Sequence, residues 1–220
     1  TFGFGLFSPA SFADLDTIEE FFRANGAPAF HEVCPLADPA HGVLLTERGY
    51  HAIEFSSVMY QPIDAAARVA AGRDSTIRVR TVDMHERDLW ARTAAEGWSD
   101  TPGLEAFLLD MGKIAAERVD AIMFLARDDA DKDDDGRVIA TAAMSISDGV
   151  ALLAGASTIP AARHRGAQFA LLAHRLAYAA AHGCDLAMMV ALPGSGSQRN
   201  AERNGFRIAY TRTKWRRAPG

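Results

Sequence analysis

The chain has 220 residues, 49% hydrophobic and 23% charged, the balance of a globular protein able to bury a core of useful size. A formal charge of −5 gives no global basic field for nucleic acid or an anionic membrane surface, and no stretch approaches the ~18 apolar residues of a membrane span. Two cysteines, Cys34 and Cys184, are too few for a disulfide framework, which points to a reducing, cytoplasmic setting.

The apolar start, Thr1 to Phe7, has no cationic flank and is not expected to be a secretory signal. Phe12, Leu15, Ile18 and Phe22 recur at helical spacing and predict a helix over 12–25, stopped by Gly26. A short strand is expected over 30–34, a short helix over 42–48 and a strand over 51–60. Residues 64–75 read as a helical connector. A second unit then opens with a strand near Ile77, followed by helices over 86–96 and 104–119 around the loop Gly97 to Gly103. Strands are expected over 121–126, 138–147 and 150–157, a helix over 169–182 and a strand over 186–192. A short helix over 197–204 and one or two strands over 206–215 close the chain. This alternation predicts a mixed α/β layer protein, a sheet covered by helices.

A weak internal echo accompanies that order. Gly26 and Val33 correspond to Gly183 and Val190 at an offset of 157, and Gly49-Tyr50 corresponds to Gly205-Phe206 at 156. The N-terminal segment therefore reads as a decayed copy of the C-terminal half of the second unit.

The segment that carries chemistry runs from Ala151 to Leu172. A strand ends at Pro160, a turn holds Arg163, His164, Arg165 and Gly166, and a long helix follows at once. The free N–H groups at a helix start carry partial positive charge and can cradle a pyrophosphate. Gly166 allows close backbone approach, and Arg163 and Arg165 can add charge-assisted hydrogen bonds. Other features have plainer readings. Asp131 to Gly136 begins like a calcium loop, but its twelfth position is Ala142, so it reads as a hairpin turn and no metal site is expected. His31, His41 and His51 lie on different elements, with no metal-site logic. Both cysteines read as core thiols.

Pro160-x-x-Arg163-x-x-Gly166-x-Gln168 resembles the acetyl-CoA signature of the GNAT acetyltransferases. Ser197-x-x-Asn200-Ala-Glu-Arg-Asn-Gly205-Phe206 resembles that family's second motif, with one helix and one strand between the two. The resemblance covers Thr76 to about Trp215. It implies a GNAT-like mixed sheet flanked by helices at 73–220, preceded at 1–72 by a degenerate half-domain. It also implies an N-acetyltransferase that takes acetyl-CoA as co-substrate and an amine-bearing small molecule or peptide as acceptor.

The residues implied for the cofactor are Ser157, Thr158 and Ile159 along the pantetheine. Arg163, His164, Arg165, Gly166, Ala167 and Gln168 stand at the phosphates, with Ser197 and Asn200 on the short helix. Gln168 departs from the small residue of the signature; its side chain either crowds the phosphate or projects away. Ala201 stands where the family often has a tyrosine acid, and 150–157 holds no carboxylate base. Tyr210, Ser197 and Glu96 are candidate substitutes with no one of them singled out, and the catalytic residues are left open. The missing pair leaves room for a non-catalytic acyl-CoA-binding or regulatory module on the same fold. Trp98 is a candidate wall of the acceptor site. The sequence is compatible with an oligomer.

Overall fold

The computed structural model describes residues 1–63, 76–100, 103–129 and 137–217. The connector expected at 64–75 and the acidic turn at 131–136 lie outside the described residues. The chain divides into two compact units, Thr1–Tyr60 with Val190–Gly220, and Gln61–Met189. The boundary expected at 72/73 is also outside the described residues. The C-terminal residues from Val190 onward group with the N-terminal segment, because the last strand pairs with the N-terminal strands.

In the first unit, α1 (Phe12–Ala24) starts at Ser11, whose hydroxyl accepts from the Asp14 amide while Asp14 reaches back to the Ser11 N–H at 2.9 Å. This reciprocal cap satisfies two donors that the helix start would leave unpaired. β1 (Phe30–Val33), α2 (Ala40–Glu47) and β2 (Tyr50–Pro62) follow. The unit is completed by α6 (Gly196–Arg203) and β8 (Arg207–Arg217), the latter a single strand antiparallel to both β1 and β2. Leu15, Leu45 and Tyr50 form its buried centre, with Val33 and Trp215 packed against them.

The second unit holds β3 (Ile77–Thr81), α3 (Arg87–Glu96), α4 (Glu105–Ala116), β4 (Ile122–Asp128), β5 (Val138–Ser147) and β6 (Val150–Thr158). α5 (Ala167–Ala181) and β7 (Leu186–Ala191) follow. A 3₁₀ turn at Met84–Glu86 precedes α3. Strands β3 to β6 pair antiparallel in chain order, and β7 joins β6 in parallel. Side chains alternate between the faces of the sheet. Met123 and Leu125 pack with Trp90 of α3, whereas Phe124 meets His174 and Tyr178 of α5. The two helices therefore cover opposite faces. Among the described residues, no helix is long and apolar enough to cross a membrane.

Candidate functional site

The site begins where β6 leaves its neighbour. The parallel register with β7 covers Val150 to Leu153 and stops, while β6 continues to Thr158. On its other side, β6 pairs Ala154 with Ala143 and Ser157 with Thr141, so Gly155 and Ala156 oppose Ala142 alone. That count defines a β-bulge, and Gly155 supplies its left-handed residue at φ 58°. A bulge bends its strand, which accounts for the end of the parallel pairing at Leu153, two residues before Gly155.

The strand then runs through a 3₁₀ turn, Pro160–Ala162, into Arg163 to Gly166. His164 and Gly166 take left-handed conformations, φ 64° and 88°. Gly166 is the N-cap of α5, and no side chain among the described residues caps that helix. Helix formation therefore begins at Ala167, two residues before the expected Phe169. The amides of Ala167, Gln168 and Phe169 have no carbonyl one helical turn earlier to receive them. A Cβ placed on Gly166 would have nothing within 4 Å, so the space beside Gly166 itself is open.

The side chains around the turn have their own destinations. Arg163 donates to the Gly97 carbonyl at 2.9 Å and is ion-paired with Asp100. Arg165 is ion-paired with the buried Asp128 at 2.6 Å. Gln168 Nε2 donates to Thr158 Oγ1 at 2.7 Å, so its side chain lies back towards β6. Ser157, buried, donates to the Ala94 carbonyl at 2.9 Å and ties β6 to α3. Thr158 and Ile159 are buried, whereas His164, Arg165 and Gly166 are exposed. Ser157 to Ile159 and Arg163 to Gln168 thus form one continuous strand-turn-helix corner.

Ser197 and Asn200 lie on α6, in the other unit. The hydroxyl that caps α6 is Ser195, which accepts from the Gln198 amide at 3.1 Å. This corrects the expectation of a helix opening at Ser197. The turn at Gly194 puts the first extended residue, and hence the cap, two positions earlier. Asn200 accepts from Asn204 through its backbone carbonyl at 2.7 Å, a bond local to its own helix end. Ala201 is only 1% exposed.

Glu96 is paired with Arg137 at 2.7 Å, and Trp98 is largely exposed. Between α3 and α4 lies a groove of about 340 Å³ lined by Arg92, Glu96, Ser99, Glu105 and Leu109. Both cysteines are free thiols. Cys184 is buried and Cys34 partly so, and burial raises the Cys184 pKa.

The sequence reading passed over Gly97, Asp100 and Asp128, which hold the turn, and Arg175, a charge within the apolar face of α5. Only the last left a local signal, a cation among Leu171, Leu172 and Leu176.

A strand that leaves its parallel neighbour and turns into a helix start is a place where an anionic group can be received in an α/β protein. The acetyltransferase (GNAT) family model matches residues 85–206, and the chain belongs to that family. Among solved structures, a GCN5-related N-acetyltransferase from Kribbella flavida superposes with a TM-score of 0.67 at 23% identity, covering 94% of this chain and 75% of that one. A second, from Sphaerobacter thermophilus, gives 0.62 at 19% identity, covering 90% of this chain and 64% of that one. A tandem GNAT protein of the clavulanic acid biosynthesis pathway gives 0.68 at 16% identity, covering 94% and 70%. At these identities the likeness is one of fold. No curated protein matches the chain.

Proposed function

We propose that the protein is an acetyl-CoA-dependent N-acetyltransferase acting on a primary amine of a small molecule or peptide. The observation that carries this reading is the corner itself: β6 leaves β7 after Leu153, continues to Thr158 and passes through the turn ending at Gly166 into the start of α5. The free edge of Ala156 to Ile159 suits the pantetheine amides, which would pair with it as a further strand does. The amides from His164 to Gln168 would receive the pyrophosphate, where the helix start favours negative charge. Arg163 and Arg165 would serve mainly by holding the turn, since each already faces a carboxylate.

In the reaction, a neutral amine attacks the thioester carbonyl carbon. The C–N bond forms, the C–S bond breaks, the ammonium proton passes to solvent or a base, and the thiolate takes up a proton. The protein contributes proximity and an amide that polarises the carbonyl. The groove between α3 and α4, beside Trp98, is the candidate acceptor side. Its lining sets Glu96 and Glu105 beside Arg92, with Glu96 paired to Arg137, and an amine there must be neutral before attack.

The described residues 1–63 fit the reading of a degenerate half-copy over 1–72. They repeat the helix-strand-helix-strand order of α5-β7-α6-β8, and Gly26, Gly49, Gly183 and Gly205 share left-handed backbones at matching helix ends. We place the protein in the cytoplasm, in keeping with two unpaired thiols.

One observation favours a second reading, a non-catalytic acyl-CoA-binding module. Ala201, in the sequence position of the missing acid, is buried and has no proton to give. Calorimetric titration with CoA, acetyl-CoA and 3′-dephospho-CoA, then thiol release against a panel of amines, separates the two. Binding with release supports the enzyme, binding without release on any amine supports the module, and absence of binding overturns both.

A further inference from the structure

Arg175 is 4% exposed in the middle of α5, and no carboxylate pairs with it among the described residues. Burial without a counter-ion is costly for a cation and lowers its pKa to about 10, which leaves it charged at neutral pH. A leucine or methionine would fill the same space without that cost. What the guanidinium adds is a set of donors. It bonds the Leu171 carbonyl of its own helix at 3.3 Å, then reaches the sheet at Ala143 (3.2 Å) and Ala154 (3.3 Å).

Those two residues are the last regular pair before the bulge. From the opposite face, Trp90 Nε1 donates to the carbonyl of Ala142, the single residue facing the bulged pair, at 3.1 Å. The bulge is therefore gripped by one buried donor group from each covering helix. In a trans peptide the C=O and the following N–H point in opposite directions. Holding the Ala154 oxygen towards α5 therefore turns the Gly155 N–H away from α5 and fixes the plane of the peptide that begins the free edge. A hydrogen bond from a cation also polarises that peptide and strengthens its N–H as a donor.

We propose that Arg175 is a positioning residue for acyl transfer. By holding the Ala143 and Ala154 carbonyls, it fixes the bulge that carries β6 away from β7 and aims the amides after Ala154 at the thioester end of acyl-CoA. This rests on the acetyl-CoA reading above. The pyrophosphate amides at the start of α5 lie two helical turns away from Arg175, so the nucleotide end of the cofactor is served separately.

The test compares the wild type with Arg175→Met and Arg175→Lys, both checked for folding by circular dichroism. Calorimetry with CoA and with acetyl-CoA gives the two affinities, and thiol release with the amine panel gives kcat and KM. Arg175→Met is expected to bind CoA within about threefold of the wild type. Its kcat should fall roughly tenfold or more with little change in KM, and its preference for acetyl-CoA over CoA should shrink. Arg175→Lys, which keeps the charge and some donors, should recover part of each loss.

A folded Arg175→Met that keeps both kcat and the acetyl-CoA preference overturns the inference. So does one whose CoA affinity falls as far as its kcat, since that is a merely structural effect. If the methionine variant does not fold, Arg175→Lys and Trp90→Phe decide by the same readouts, and wild-type values in both overturn it. A wild type that binds neither nucleotide overturns the acetyl-CoA reading and this role together. A binding-competent wild type with unaffected variants overturns this role alone.

Discussion

Replacing Gly97 by alanine tests how tightly the end of α3 is set against β6. A Cβ at Gly97 would lie 1.7 Å from Ser157 Oγ and 3.0 Å from both Ser157 Cβ and the Thr158 nitrogen. The hydroxyl can swing aside only by giving up its bond to the Ala94 carbonyl, and the backbone nitrogen cannot swing at all. Overpacking of this kind costs about 1–3 kcal/mol, and the lost hydrogen bond adds about 1, so Gly97→Ala should cost roughly 2–4 kcal/mol. Ser157→Ala alone should cost about 1 kcal/mol. In the double variant the closest clash is gone while the 3.0 Å contacts persist, so the two costs should fall short of additivity by about 1 kcal/mol or more. Urea unfolding followed by circular dichroism measures all three. Because Arg163 holds the same loop through the Gly97 carbonyl, CoA affinity should also fall in Gly97→Ala. A Gly97→Ala protein within about 0.5 kcal/mol of the wild type, or strictly additive costs, would refute the close approach.

Three further outcomes are expected. Ala201 is 1% exposed, so Ala201→Tyr should destabilise by about 1–3 kcal/mol in denaturant. Gly166→Asp should abolish CoA binding in a calorimetric titration, because a carboxylate would stand at the start of α5 and the left-handed backbone disfavours a side chain. Acid should destabilise the first unit through His31 and His41, both fully or nearly buried; Thr1 Oγ1 lies 2.9 Å from His31 Nδ1, while His31 Nε2 and both His41 ring nitrogens have no hydrogen-bond partner among the described residues. Burial lowers the pKa of His31 from 6.5 to about 4 and lowers that of His41. The unfolded chain then binds protons that the folded one refuses. Stability is therefore full above pH 6.5 and declines as pH falls towards 4, by about 3 kcal/mol for His31. His31→Phe should flatten that slope in unfolding curves recorded across this range.

The sequence by itself determined the element order and the strand-turn-helix corner, because both are written in local signals. Apolar spacing marked the helices, and Pro160 and Gly166 marked where β6 ends and α5 begins. The motif residues Ser157 to Ile159 and Arg163 to Gln168 came out contiguous because they are contiguous in the chain. Only the tertiary structure decided what the side chains do. Arg163 meets Asp100 across 63 positions, Arg165 meets Asp128 across 37, and Ser157 meets Ala94 across 63. The bulge at Gly155 was equally illegible, since it is a mismatch between two strands rather than a property of either. His31 and His41 showed no relation at a ten-residue spacing, yet both pack against the ring of Phe4. Periodicity and turn chemistry act over a few residues and survive in the sequence. Ion partners, ladder register and burial are set by folding together segments that carry no mark of one another.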